Sequence, residues 1–97
     1  MSYSISLHAE VVRKITGWKL SGYVMREILS GLDQVAQNPS GKLIRVGPPD
    51  DAMQFDLVIE EPGQPHRIYL FAFSVRYHPD EETLHVFKCD RLIEEYG

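Results

Sequence analysis

Three observations predict an α+β fold, with a pair of amphipathic helices laid on one face of a mostly antiparallel sheet of four to five strands. The first is the run Arg67-Ile-Tyr-Leu-Phe-Ala-Phe-Ser-Val-Arg76, eight uncharged and mostly β-forming residues between two arginines. A run apolar on both of its faces belongs in the middle of a sheet that is covered on at least one side. The second is the pair of half-alternating segments around it, Met53-Gln-Phe-Asp-Leu-Val-Ile-Glu60 and Thr83-Leu-His-Val-Phe-Lys88, which fit beside it as a meander. The third is a change of apolar period, from two to about 3.6, between residues 7 and 36.

The elements follow in order. Tyr3-Ser-Ile-Ser-Leu7 alternates apolar and small polar residues and predicts a short first strand. Leu7, Val11, Ile15 and Trp18 then recur at helical spacing, with Glu10, Arg13 and Lys14 off that face. Lys19-Leu-Ser-Gly22 interrupts, and Ser21 suits the N-cap of a second helix. There Val24, Ile28, Leu32 and Val35 make the main stripe, widened by Met25, Leu29 and Ala36. Asn38-Pro-Ser-Gly41 closes the helix as a turn, giving an αα-hairpin with a continuous apolar face. Lys42-Leu-Ile-Arg-Val46 is the second strand candidate, closed by Gly47-Pro-Pro-Asp-Asp51, which lacks the glycines and lysine of a phosphate loop.

In the third strand, Met53, Phe55, Leu57 and Ile59 share one face, and Gln54, Asp56, Val58 and Glu60 the other. Glu61-Pro-Gly-Gln-Pro-His66 is a hairpin connection too long for a two-residue turn. The central run is the fourth strand, His78-Pro-Asp-Glu-Glu82 turns the chain, and the fifth strand follows. Arg91-Leu-Ile-Glu-Glu-Tyr96 is expected to add a terminal helical turn. The order is β-α-α-β-β-β-β in a single domain, residues 1–97.

The composition is that of an ordinary globular chain, 43% hydrophobic and 25% charged. One cysteine, Cys89, excludes an intrachain disulfide and a multi-cysteine metal site, and reads as a small packed residue. Residues 1–7 have neither a basic n-region nor an apolar h-region, and no apolar run approaches the roughly 20 residues that span a bilayer. A cytoplasmic chain with no membrane partner is therefore expected. The net charge of −4 is unevenly spread: residues 1–49 carry six basic and three acidic side chains, residues 50–97 four and eleven. The sheet half is thus acidic, which argues against a polyanion groove on the sheet.

Some side chains are singled out by their chemistry. Arg67 is expected to pair with Glu60 or Glu61 across the hairpin, with Asp56 among its neighbours on the next strand. His85 lies on the face opposite Leu84 and Val86, with a titration range suited to acid–base work. His66 and His78 adjoin prolines in turns. The histidines have no metal-ligand spacing, so no metal or other cofactor is expected. Trp18 reads as core. Tyr23, Tyr69 and Tyr77 are available for stacking or for amphipathic strand positions.

The element order, together with Tyr3-Ser-Ile-Ser-Leu-His-Ala-Glu-Val-Val-Arg-Lys-Ile, Asn38-Pro-Ser-Gly-Lys-Leu and the pair Met53-Gln-Phe-Asp-Leu and His66-Arg-Ile-Tyr, resembles the RelE/ParE toxin superfamily over nearly the whole chain. The resemblance implies a small toxin of a bacterial toxin–antitoxin pair, held by an antitoxin segment. One branch of the family cleaves mRNA on the ribosome without a metal, so ribosome or RNA is a second implied partner. Carried over residue by residue, the site falls on Arg67 as phosphate contact, with His85, Lys88 and Arg91 near the last strand for phosphate contacts and proton transfer. Tyr96 loosely matches a C-terminal tyrosine or basic position. The chain departs from the pattern at Gln54 and Asp56, where ribonuclease members carry lysines. Asp56 with His66 and His85 offers a His/Asp set instead. The alternative is a non-catalytic interaction module on the same fold, using strand edges or the helices for homodimerisation or peptide capture.

Overall fold

The computed structural model describes residues 3–45, 52–77 and 82–96. The expected turns Gly47-Pro-Pro-Asp-Asp51 and His78-Pro-Asp-Glu-Glu82 therefore lie wholly or largely outside the described residues, as do Val46 and His78. The elements are β1 (Ser4–Leu7), α1 (Ala9–Gly17), α2 (Gly22–Gln37), α3 (Pro39–Lys42), β2 (Ile44–Arg45), β3 (Ala52–Glu61), β4 (His66–Tyr77) and β5 (Thr83–Tyr96). They form an open mixed sheet in the order β1-β5-β4-β3-β2, in which β2 contributes two of the described residues. β1 runs parallel to β5, and every other pairing among the described residues is antiparallel. The long axis of the molecule is 46 Å, close to the length of fourteen residues of β5 at about 3.3 Å each.

The central run is the central strand. In β4, Tyr69, Phe71, Phe73 and Val75 are buried beneath the helices, and the alternate residues Ile68, Leu70, Ala72 and Ser74 face the other way, half-buried. Cross-strand rows on the helix side run Phe55–Phe73–Cys89, Leu57–Phe71–Arg91 and Ile59–Tyr69–Ile93. Onto them pack Val11 and Ile15 of α1 and Val24, Ile28, Leu32, Val35 and Ala36 of α2. Phe71 is fully buried, with its ring 5.7 Å from both Trp18 and Tyr69. The single-sided core accounts for the alternation along β3 and for the buried stripe of each helix.

Local chemistry sets the helix ends. His8 Nδ1 accepts from the Glu10 amide at 3.1 Å at the start of α1. Ser21 Oγ accepts from the Val24 amide at 3.2 Å, the predicted N-cap. Gly63, in the connection between β3 and β4, has φ 142°, a conformation that side chains resist. Gly31 meets β3 closely, since a Cβ there would lie 2.8 Å from a Leu57 methyl.

Three expectations are corrected. Residues 91–96 are not a helical turn but the end of β5, paired with β4 from Phe71↔Arg91 to His66↔Tyr96. The first half of β4 requires a partner on that side, and the ladder overrides the helix-favouring Leu and Glu residues. Asn38-Pro-Ser-Gly41 is not a plain turn: Pro39 opens the four-residue α3, where its missing amide costs nothing. Both long helices pack on the sheet, α1 chiefly on β5 and α2 on β3 and β1. Leu29 does not join the core. It stands 57% exposed, walling a depression of about 320 Å³ with Tyr3, Ile5 and Leu7. Among the described residues no helix is long and apolar enough to cross a membrane.

Candidate functional site

The four candidate catalytic residues are dispersed. Arg67 pairs with Glu95 and His85 with Arg76, so nine residues of β4, about 30 Å, separate their positions. Lys88 lies opposite Ser74, on the face away from the helices, as does His85, which alternates with buried Leu84 and Val86. Arg67 and Arg91 lie on the helix face. No common phosphate can be reached by this set.

Arg67 is also held by carboxylates. The Arg67 Nε donates to Glu95 at 2.8 Å, and its guanidinium lies 3.8 Å from Glu61. Glu61 accepts in addition from Ser21 Oγ at 2.5 Å and from Tyr69 Oη at 3.2 Å. The hydrogen bond to Glu95 raises the Arg67 pKa further, and burial, then the Glu61 charge, push the Tyr69 hydroxyl up. One cation thus meets two carboxylates, which leaves the cluster anionic. The expected pairing with Glu61 is present, whereas Glu60 contacts His66 Nε2 at 2.9 Å. Asp56 is no neighbour of Arg67. It sits opposite Ala72, five positions along β4 and on the other face.

Arg91 covers Trp18, its guanidinium 4.8 Å from the ring centroid, in cation–π geometry. Lys88 is exposed and lies 3.8 Å from Asp90, which accepts from Lys14 Nζ at 2.9 Å. That hydrogen bond lowers the Asp90 pKa. The Tyr96 hydroxyl donates to Glu94, which raises its pKa. The proposed His/Asp set is likewise split: Asp56 accepts from the Gln54 amide at 2.7 Å, and His66 and His85 lie at opposite ends of the sheet. Among the described residues no group of three or more His, Cys, Asp or Glu is arranged to hold a metal.

What the described residues do assemble is a sheet face with no helix on it and an edge with no strand beside it. Among the described residues β2 pairs only with Met53 and Gln54, so residues 55–61 of β3 have a described strand on one side alone. On the face away from the helices, Val58, Leu70 and Leu92 form a cross-strand row in which Val58 is 66% and Leu92 58% exposed. The rows on either side are Asp56–Ala72–Asp90 and Glu60–Ile68–Glu94. The Tyr23 hydroxyl donates to the Glu60 carbonyl at 3.3 Å, filling one acceptor near the end of the edge. The alternation of β3 was readable in the sequence. Its open edge was not, because β2 starts only at Ile44, after α3 ends at Lys42.

No family model, curated protein or solved structure matches this chain.

Proposed function

We propose that the protein is a non-catalytic interaction module that captures an extended polypeptide segment on the outer edge of β3. The observation that carries this reading is the one-sided pairing of residues 55–61, with exposed Val58 at their centre. An incoming strand would satisfy the free backbone groups there, and its side chains would extend the apolar row across the sheet. Dispersal of Arg67, His85, Lys88 and Arg91 over two faces speaks against nuclease chemistry, as does the occupation of Arg67 by Glu61 and Glu95.

The RelE/ParE-type reading, a toxin held by an antitoxin, is supported by the element order β-α-α-α-β-β-β-β, which is the expected order with the four-residue α3 inserted before β2, and makes the captured segment part of an antitoxin. Controlled expression in bacteria separates the two readings, with growth and mRNA integrity followed for the parent and Arg67→Ala. The module reading expects normal growth and intact mRNA from both. Growth arrest with mRNA cleavage, lost in Arg67→Ala, would replace it by the toxin.

A further inference from the structure

The side chains beside the open edge define the chemistry of what binds there. On β3, Asp56, Val58 and Glu60 share the uncovered face, with a carboxylate about 7 Å to either side of the exposed valine. A strand added to this edge places its own alternate residues directly opposite these three, with Cβ atoms about 5 Å apart. Glu94 extends the negative rim, since it shares a row with Glu60 and Ile68. The described partners of these carboxylates are the Gln54 amide for Asp56, the His66 imidazole for Glu60 and the Tyr96 hydroxyl for Glu94. Among the described residues none of the three meets a lysine or an arginine. Like charges opposite one another destabilise a strand pair, and opposite charges support it.

Resting on the edge-capture reading, we infer that the captured segment is basic and amphipathic: an extended stretch with an apolar residue opposite Val58 and Lys or Arg two positions to either side. A second copy of this chain fits poorly. Antiparallel pairing of β3 with itself about Val58 sets Asp56 against Glu60 twice.

Fluorescence anisotropy of three labelled, end-blocked peptides tests this: Ser-Lys-Thr-Val-Thr-Lys-Ser and its versions with both lysines replaced by Gln or by Glu. The lysine peptide is expected to bind about tenfold tighter than the Gln peptide in low salt, and the Glu peptide weakest. In Asp56→Asn/Glu60→Gln, two exposed positions, the preference should vanish while the Gln peptide still binds. Equal binding of all three peptides by the parent overturns the basic partner and leaves edge capture standing. Binding of none overturns edge capture itself. Sedimentation showing a dimer that Val58→Lys dissolves would make a second copy the occupant and overturn the inference.

Discussion

Cys89 gives the most quantitative prediction. Its side chain is 1% exposed, in the row Phe55–Phe73–Cys89 beneath α1. Burial pushes the thiol from its ordinary 9.0 up to about 11; Asp90 adds to this and Lys14 opposes it. Only the thiolate reacts with electrophiles, so at pH 8 the folded protein should expose about a hundredfold less nucleophile than the unfolded chain. Steric cover slows it further. The same shift has a thermodynamic consequence. A pKa raised by folding means that the native state holds its proton more tightly. The associated stability is complete below pH 9 and is lost as pH rises from there through about 11. Two units correspond to about 3 kcal/mol. The assay is iodoacetamide labelling followed by mass, in buffer and in urea, together with urea melts of the parent and Cys89→Ala from pH 8 to 11. Subtracting the variant removes the titration of tyrosines and lysines. Native labelling within tenfold of the unfolded rate would refute the buried placement, and parallel pH dependence of the two proteins would refute the shift.

Two further outcomes test the framework around the edge. Phe71→Ala, which empties a fully buried site between Trp18 and Tyr69, should cost about 3–5 kcal/mol in urea unfolding. Ser21→Ala removes both the cap on the Val24 amide and the donor to Glu61, and should cost about 1–2 kcal/mol, with Ser21→Asp restoring the cap but not the contact to Glu61.

The helices and the central strand were legible because each carries its own period over many residues. Ser21 announced the start of α2 by residue type alone, and the residues 67–76 announced a strand by apolarity on both faces. Residues 91–96 were misread because Leu, Ile and two glutamates suit a helix locally. Only the length of β4, with unpaired residues opposite them, decides the matter. The candidate site failed for a related reason. Arg67, His85, Lys88 and Arg91 come from adjacent strands, but neighbouring strands bring two residues together only when their register agrees. Register depends on where the hairpin turns, which no single residue announces. The Ser21–Glu61–Tyr69–Arg67–Glu95 cluster was half legible, through the charges flanking the hairpin. Its other members arrive from α2 and from the far end of β5.

The charges on β3 bear on two questions at once. An unpaired strand edge with an exposed valine is a template for pairing with any extended chain, its own copies included. Asp56 and Glu60 on either side of Val58 make self-pairing about that valine unfavourable, because every copy brings the same two carboxylates. The same two charges favour a partner that brings cations. Neutralising them should therefore do two things together: weaken discrimination among peptides and let β3 pair with itself. If the Asp56→Asn/Glu60→Gln protein lost its peptide preference yet stayed monomeric at high concentration, the carboxylates would be selecting a partner without guarding the edge. If it self-associated as well, selection and protection would be a single electrostatic device, acting through the position of each charge two residues from Val58.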